Sequence, residues 1–269
     1  MPLATHKIKG RRGLYEVTRY LQSDAPVAVR LAKVSKRYRL YGSNRDTFLS
    51  LLSRRFRRSL ATTYALKEIS FELKKGENIV IVGTHQSGKS SLLQIIVGSV
   101  LPTSGSVETH GKILLVRPTV SDFDPNLTPR KNLEFRARIL GLDKHEAKKT
   151  VEKALAFADI DEYQDKPFRY TPKLLRNRLS WAFYLTIECD ILLLDGMPPA
   201  GLGKPFRHIC NVRLFEMLTD PAINIVVATR KPLLRFPFNQ SIALVEGQMA
   251  FKGTPEDVVS YLKEDKEKA

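Results

Sequence analysis

A glycine-rich loop between a strand-like and a helix-like segment constrains this chain more than any other feature. Residues 77–98 read ENIVIVGTHQSGKSSLLQIIVG, and positions 83–90 complete the phosphate-binding pattern GxxxxGK[ST]. The apolar stretch 79–82 before the loop has the character of a buried strand. After the loop, Gly98 ends a segment with helical spacing at Leu92, Leu93, Ile95 and Ile96. This strand–loop–helix order predicts a P-loop that binds a nucleoside triphosphate.

Each part of this loop has a chemical task. The glycines let successive backbone N–H groups curl around phosphate oxygens, and the N-terminus of the next helix adds partial positive charge. We expect Lys89 to reach the β- and γ-phosphates and the Ser90 hydroxyl to ligate Mg²⁺. The alternative is a turn rich in glycine and serine that fits the pattern by chance, and the flanking segments argue against it.

The composition limits the class of protein. With 269 residues the chain could form one large domain or two small ones, and 43% hydrophobic residues suffice for a core. No apolar run approaches the ~20 residues of a membrane span, and the basic N-terminus lacks the apolar stretch of a secretory signal. Cys189 and Cys210 are too few for a disulfide framework and lack metal-site spacing. We therefore expect buried thiols in a reducing compartment, hence a cytoplasmic protein.

The charge favours an anionic partner. The chain carries 44 Lys and Arg against 28 Asp and Glu, a net +16, which attracts an inner membrane leaflet, nucleic acid or an acidic protein. Segment 46–60, DTFLSLLSRRFRRSL, concentrates this charge beside apolar residues at roughly helical spacing. A basic amphipathic helix on a membrane surface fits the pattern, and a solvated helix packed on its own domain fits it equally well.

Strands and helices alternate along the rest of the chain. Residues 1–27 are expected to form a basic extension, with strands following at 27–34, 64–73, 111–116, 191–194, 223–228, 241–246 and 248–251. A helical region occupies 132–185, a short helix 255–263, and a charged tail 263–269. Because continuously apolar strands are buried on both faces, we predict a parallel sheet with helices on each side and a helical insert at about 116–189.

The order of P-loop core, helical insert and apolar strand ending in Asp resembles the ATP-binding cassette (ABC) of transporter ATPases, over about 34–262. Fragments similar to the opening, middle and close of that cassette lie at 34–38, 65–71, 101–107 and 251–256. The basic insert between Tyr38 and Tyr64, together with FDPNLT at 123–128, is most similar to bacterial exporters of capsular polysaccharide, O-antigen and teichoic acid.

The resemblance implies a fold and a nucleotide site. The implied fold is an α/β P-loop NTPase with a mainly parallel sheet and an N-terminal antiparallel β portion. It would form a single domain over 28–262, with a helical subdomain at about 117–189. Asp195, at the end of ILLLD, matches the Walker B aspartate that holds Mg²⁺. Tyr38, or else Tyr41, stands where the family stacks a ring on adenine, although an aromatic residue in a strand is often simply core. The residues that match the Walker A loop, with Ser91 behind it, are Gly83, Thr84, His85, Gln86, Ser87, Gly88, Lys89, Ser90 and Ser91.

Catalytic residues of the family are missing from their positions. Gly196 stands where a glutamate activates water, and losing general-base help alone costs about 10²–10⁴-fold in rate. Thr229 replaces the switch histidine that senses the γ-phosphate. The loop glutamine falls at about Thr119, and the D-loop aspartate falls at about Leu202. The resemblance therefore predicts ATP binding with impaired hydrolysis.

The signature motif is replaced as well. Small residues with bare N–H groups should clamp the γ-phosphate of the opposite subunit, but this chain has PKLL at 172–175. Pro172 lacks an N–H and the two leucines block close backbone approach, although Pro172 still suits the first turn of a helix. Lys173 could supply a point charge instead. We expect the helix without the clamp.

The resemblance implies the ATP-binding subunit of a polysaccharide exporter. Such a subunit binds ATP and Mg²⁺, forms a homodimer or heterodimer of cassettes, and attaches to a transmembrane permease at the cytoplasmic face of the bacterial inner membrane. Two hypotheses for its chemistry stay open: an ATPase with unorthodox residues, or a non-hydrolysing regulatory scaffold paired with a more complete cassette. A nucleic-acid-linked ATPase is favoured by the charge alone, since neither tandem cassettes nor long coiled-coil insertions occur.

Overall fold

The computed structural model describes residues 3–10, 13–20, 25–39, 62–117 and 123–268, which form an α/β fold. The strands are β1 (Leu3–Gly10), β2 (Gly13–Tyr20), β3 (Val27–Arg39), β4 (Thr62–Lys74), β5 (Asn78–Val82), β6 (Ser104–Thr109), β7 (Ile113–Val116), β8 (Ile191–Asp195), β9 (Asn224–Thr229), β10 (Gln240–Val245) and β11 (Gln248–Gly253). The helices are α1 (Lys89–Ile96), α2 (Pro129–Ile139), α3 (Lys144–Ala158), α4 (Lys173–Thr186), α5 (Lys204–Thr219) and α6 (Pro255–Lys268).

The central sheet carries the predicted site. Its strand order is β11-β10-β5-β9-β8-β7, and every neighbouring pair except β10 and β11 is parallel. All residues of β5 and the first four residues of β8 are buried. Uninterrupted apolar strands of this kind are typical of a sheet covered on both faces. The mainly parallel sheet that the sequence predicts is confirmed.

An antiparallel sheet lies beside the P-loop helix. Its order is β4-β3-β6, and Val29 and Phe71 on its strands share a buried cluster with Leu92 of α1. The predicted N-terminal antiparallel portion is thus confirmed. The sequence pattern does not predict β6, because SGSVET offers Val107 as its one apolar residue and the strand stays largely exposed.

The helical insert between β7 and β8 consists of α2, α3 and α4, as the sequence predicts. Asp143 and Glu146 form a capping box that satisfies N–H groups in the first turn of α3. Residues 179–185 of α4 are all buried, and the apolar ones among them join a core cluster that includes Leu192 and Leu194 of β8. The insert is therefore anchored on the central sheet.

Some elements differ from the sequence-based expectation. Helix α6 continues to Lys268, because its Glu- and Lys-rich end contains good helix formers and no Gly or Pro. The sequence reading does not predict α5, although Phe206, Cys210 and Leu214 recur along it at helical spacing. Within the expected basic extension 1–27, β1 and β2 pair as antiparallel strands of their own two-stranded sheet, which the sequence does not predict.

Both cysteines are free thiols. Cys210 is buried in α5, as expected, whereas Cys189 is only partly buried. Burial raises the pKa of each thiol to about 12. Both side chains therefore stay protonated, and unreactive as nucleophiles, near neutral pH.

Several predictions concern residues that the structure does not describe, namely Tyr41, the basic segment 46–60 and Thr119. These stay predictions from sequence. Within the described ranges, none of the helices has both the length and the apolar character needed to cross a membrane.

Candidate nucleotide-binding site

The glycine-rich loop lies at the carboxyl end of β5, between two parallel neighbours. In the sheet register Val82 is opposite Thr229 of β9 on one side and Ala243 of β10 on the other. The Gly83 N–H donates to the Thr229 carbonyl oxygen at 3.1 Å, and Leu92 N–H donates to the Gly88 carbonyl oxygen at 2.9 Å to begin α1. The predicted strand–loop–helix arrangement is thus present.

Gly88 is required by the shape of the loop. Its φ of 98° lies in the left-handed region, and a Cβ added there would lie 2.2 Å from the Ala65 carbonyl oxygen and 2.9 Å from Leu66 Cδ2. No side chain fits between the loop and β4 at this point. Gln86 also has a positive φ, 62°, so two residues of the loop have left-handed backbone conformations and the loop curves around a central space. Successive N–H groups in such a curl form a concave anion site.

Lys89 is folded onto the loop itself. Its ammonium group donates to the Gly83 and Thr84 carbonyl oxygens at 2.9 and 2.6 Å and to Ser87 Oγ at 3.0 Å. Burial lowers the pKa of Lys89; nearby Asp195 raises that pKa and Arg230 lowers it further. The Lys89 charge is therefore electrostatically coupled to one carboxylate and a second cation. A phosphate would have to replace the carbonyl contacts.

The cleft over the loop has few side chains besides those of the loop. It is lined by Ala65 of β4 and by Gln86, Ser87, Gly88, Lys89, Ser90 and Ser91. Thr84 and His85 are exposed at the loop's tip. Tyr38 lies on β3 opposite Thr63, with Lys36 Nζ 5.1 Å from its ring centroid, and is not among these lining residues. Its adenine contact stays a prediction.

Asp195 ends β8 beside the loop and carries an ion pair that the sequence reading does not predict. Its Oδ2 accepts from Arg117, with distances of 3.2 Å to Nη2 and 3.3 Å to Nε. Arg117 directly follows β7, which is parallel to β8, so the two side chains project from neighbouring strand ends. The sequence shows that GKILLVR and ILLLD both end on a charged residue, but it does not show that these two strands are neighbours.

The structure describes Gly196, Thr229 and Leu202, the positions where the resemblance expects catalytic residues. Gly196 directly follows Asp195 with φ 105°, and no atom lies within 4 Å of an added Cβ. Thr229 ends β9, and its hydroxyl accepts weakly from Lys231 N–H at 3.4 Å. Leu202 is fully buried in the 3₁₀ turn Ala200–Leu202, so this position contributes to the core.

The signature region keeps its helix, as predicted. Pro172 stands at the N-cap of α4, just before the first turn, and its carbonyl accepts from Arg176 N–H at 3.0 Å. The Arg176 guanidinium donates to the carbonyl oxygens of Thr171 and Arg169 at 2.6 and 2.7 Å, which fixes the preceding turn. Lys173 and Leu174 are exposed at this helix end.

The donors present suit magnesium in kind but are few. Ser90 offers a hydroxyl and Asp195 a carboxylate, the hard oxygen ligands that Mg²⁺ prefers. Within the described residues there is no group of three or more His, Cys, Asp or Glu side chains that could hold a metal. Any Mg²⁺ bound here would therefore depend on these two side chains, phosphate oxygens and water.

Comparison with known proteins agrees with this geometry. The family model described as ABC transporter matches residues 66–197. The O-antigen export system ATP-binding protein RfbB of Klebsiella pneumoniae is 31% identical, over 70% of this chain and 78% of that protein. The teichoic acids export ATP-binding protein TagH of Staphylococcus haemolyticus is 27% identical, over 90% of this chain and 92% of that protein. A dimeric ATP-binding cassette solved with ADP and Pi shares the fold, with 21% identity, a TM-score of 0.65, and coverage of 84% of this chain and 98% of that chain.

Proposed function

Because this chain belongs to the family of ABC transporter ATP-binding proteins, we propose that it binds ATP and serves as the nucleotide-binding subunit of a bacterial exporter of cell-surface polysaccharide. The names of its relatives support the cargo class: one is an O-antigen export protein and another a teichoic acid export protein. The observation that carries ATP binding is the curled loop with Lys89 and Ser90 at the start of α1.

The P-loop would do most of the binding. The N–H groups of the loop and the first turn of α1 would donate to phosphate oxygens, and Lys89 would exchange its carbonyl contacts for the β- and γ-phosphates. Ser90 and Asp195 would hold Mg²⁺, which neutralises phosphate charge when bound. Tyr38 is proposed as the adenine contact on the basis of resemblance.

Hydrolysis would be slow, because each group that activates or senses the reaction is replaced. Gly196 offers no proton acceptor for the attacking water. The loss of a general base alone lowers the rate of hydrolysis by about 10²–10⁴-fold. Thr229 has a short neutral side chain where a histidine would reach the γ-phosphate. We propose that ATP binding, more than turnover, changes the state of the complex, as expected for a regulatory subunit in a dimer of cassettes.

The proposed location is the cytoplasmic face of the inner membrane, against a transmembrane permease. The export functions in the names of the relatives support this, because ATP-binding subunits act on a membrane partner. A second contact with anionic lipid through segment 46–60 is proposed from its arginines alone.

Two measurements test this function. Millimolar ATP should raise the melting temperature of the wild type but not that of Lys89→Ala, because ligands that bind only the folded state stabilise it. Lys252→Ala, which removes an exposed lysine from β11, is the matched control.

An affinity-tagged chain extracted from its native membranes in mild detergent should bring down a polytopic membrane protein. An equal ATP response in wild type and Lys89→Ala would contradict nucleotide binding, and repeated recovery without a membrane protein would contradict the exporter role.

A further inference from the structure

The register of two parallel strands brings an arginine to the predicted metal position. Val116 of β7 is paired with Leu194 of β8, so the next residues, Arg117 and Asp195, emerge side by side at the carboxyl edge of the sheet. Arg117 Nε–H donates to Asp195 Oδ2 at 3.3 Å, and Arg117 Nη2 lies 3.2 Å from the same oxygen. The side chain of Asp195 is only 19% exposed, whereas that of Arg117 is half exposed.

Other charges at this edge are also positive. Asp195 and Arg230 both lie close enough to Lys89 to influence its charge state. Gly196, which directly follows Asp195, adds no carboxylate at the position where the resemblance expects a glutamate. Among the described residues, Arg117 contacts Asp195, and Lys89 is electrostatically coupled to Asp195 and to Arg230. Cations clustered in this way favour the binding of a polyphosphate anion.

We propose that Arg117 supplies at this site much of the positive charge that Mg²⁺ supplies elsewhere, so that this chain binds nucleoside triphosphate with weak dependence on magnesium. The inference rests on the proposed function, because it concerns how the same P-loop site holds ATP. A guanidinium is always charged and presents a planar set of donors that matches a phosphate. While Arg117 contacts Oδ2, Mg²⁺ would have to compete for Asp195. In the proposal, the guanidinium would turn to the triphosphate when ATP binds.

The test is the affinity for ATP with and without magnesium. A fluorescent ATP analogue displaced by ATP gives Kd in millimolar Mg²⁺ and in excess EDTA, for wild type, Arg117→Gln and Arg117→Lys. The control is Arg213→Gln, which removes one charge from the exposed pair Arg213–Glu216 on α5. Melting curves without nucleotide check that each variant is folded.

The readout is the ratio of Kd in EDTA to Kd in Mg²⁺. This ratio should be small for wild type and Arg213→Gln and about tenfold larger for Arg117→Gln, since one charge-assisted contact is worth about that factor. Arg117→Lys keeps the positive charge but loses the planar set of donors, so its ratio should fall between those of the wild type and Arg117→Gln. A ratio in Arg117→Gln no larger than in wild type overturns the inference. If wild type binds ATP in neither buffer, the proposed function fails and the inference fails with it.

Discussion

Gly83 and Thr229 are joined by a hydrogen bond from the Gly83 N–H to the Thr229 carbonyl oxygen at 3.1 Å. Thr229, where the resemblance expects the switch histidine, therefore lies against the first residue of the P-loop. On the other side of β9, Ala228 is opposite Asp195, so the three strand ends of the site are in register. The strands and the P-loop of an ABC cassette are therefore in register, and the loss of hydrolysis that we propose rests on two replacements, Gly196, which has no side chain, and Thr229.

Restoring the glutamate alone should not restore hydrolysis. We expect Gly196→Glu to leave ATP turnover near the wild-type background, because Thr229 and the PKLL signature segment stay unchanged. The backbone adds a second obstacle. Space for a side chain exists, but φ 105° in an L residue costs about 1–2 kcal/mol of strain.

Phosphate release measured on Gly196→Glu and wild type, with Gly201→Glu as control, checks this prediction. Gly201 lies in the nearby 3₁₀ turn, also with open space around an added Cβ but without a positive φ. A rise in turnover of tenfold or more in Gly196→Glu alone would show that the other replacements matter less than we argue.

The P-loop should not tolerate a side chain at Gly88. Gly88→Ala should abolish the ATP-induced rise in melting temperature, because the new methyl group would collide with the Ala65 carbonyl oxygen. Gly98→Ala is a matched control, since Gly98 also has a positive φ, 78°, but nothing lies within 4 Å of its added Cβ. Gly98→Ala should lose about 1 kcal/mol of stability and keep its ATP response. An unchanged ATP response in Gly88→Ala would contradict the assigned loop geometry.

A buried amide stabilises the opposite end of the sheet. The Asn224 side-chain amide donates to the carbonyl oxygens of Lys74 and Glu77, each at 2.7 Å, and only 2% of the residue is exposed. Asn224→Ala should lower the free energy of unfolding by about 1–3 kcal/mol, because it removes both hydrogen bonds that the buried amide donates. Urea titration measures this, with Asn211→Ala on helix α5 expected to change little. Equal denaturation midpoints for the two variants would count against it.

The membrane contact is predicted from sequence, since segment 46–60 lies outside the described residues. Changing its four arginines, Arg54, Arg55, Arg57 and Arg58, to Gln should reduce binding to vesicles containing anionic lipid, at about 1 kcal/mol per residue at low salt. The control is a fourfold Arg→Gln change elsewhere, at Arg207, Arg213, Arg235 and Arg169. Unchanged vesicle sedimentation of the segment variant would leave the solvated-helix alternative as the better explanation.

Local sequence predicts the parts of this site that one segment encodes. The P-loop is contained in residues 83–90, and Asp195 follows an apolar strand whose period and ending are visible in ILLLD. Their placement in a mainly parallel α/β sheet follows from strands too apolar to face water. The resemblance to ABC ATPases, which the comparisons support, also located the positions of Gly196 and Thr229.

What the sequence does not reveal depends on which strands are neighbours. Arg117 contacts Asp195 because β7 lies next to β8, and a separation of 78 residues hides that pairing from any local pattern. The sequence does not predict β6, because this strand has little apolar surface and is held in place by its pairing with β3. Arg230, which directly follows β9, is likewise brought near the P-loop only because β9 pairs with the strand that precedes the loop.

The central claim is that this chain binds ATP without appreciable turnover, and one paired measurement tests it most directly. ATP binding by titration calorimetry and phosphate release should be measured on the same purified wild-type and Lys89→Ala proteins in Mg²⁺ buffer. We predict saturable ATP binding that Lys89→Ala loses, with phosphate release at background in both. Brisk phosphate release by the wild type that disappears in Lys89→Ala would contradict the account, because substitute residues would then be carrying out the hydrolysis.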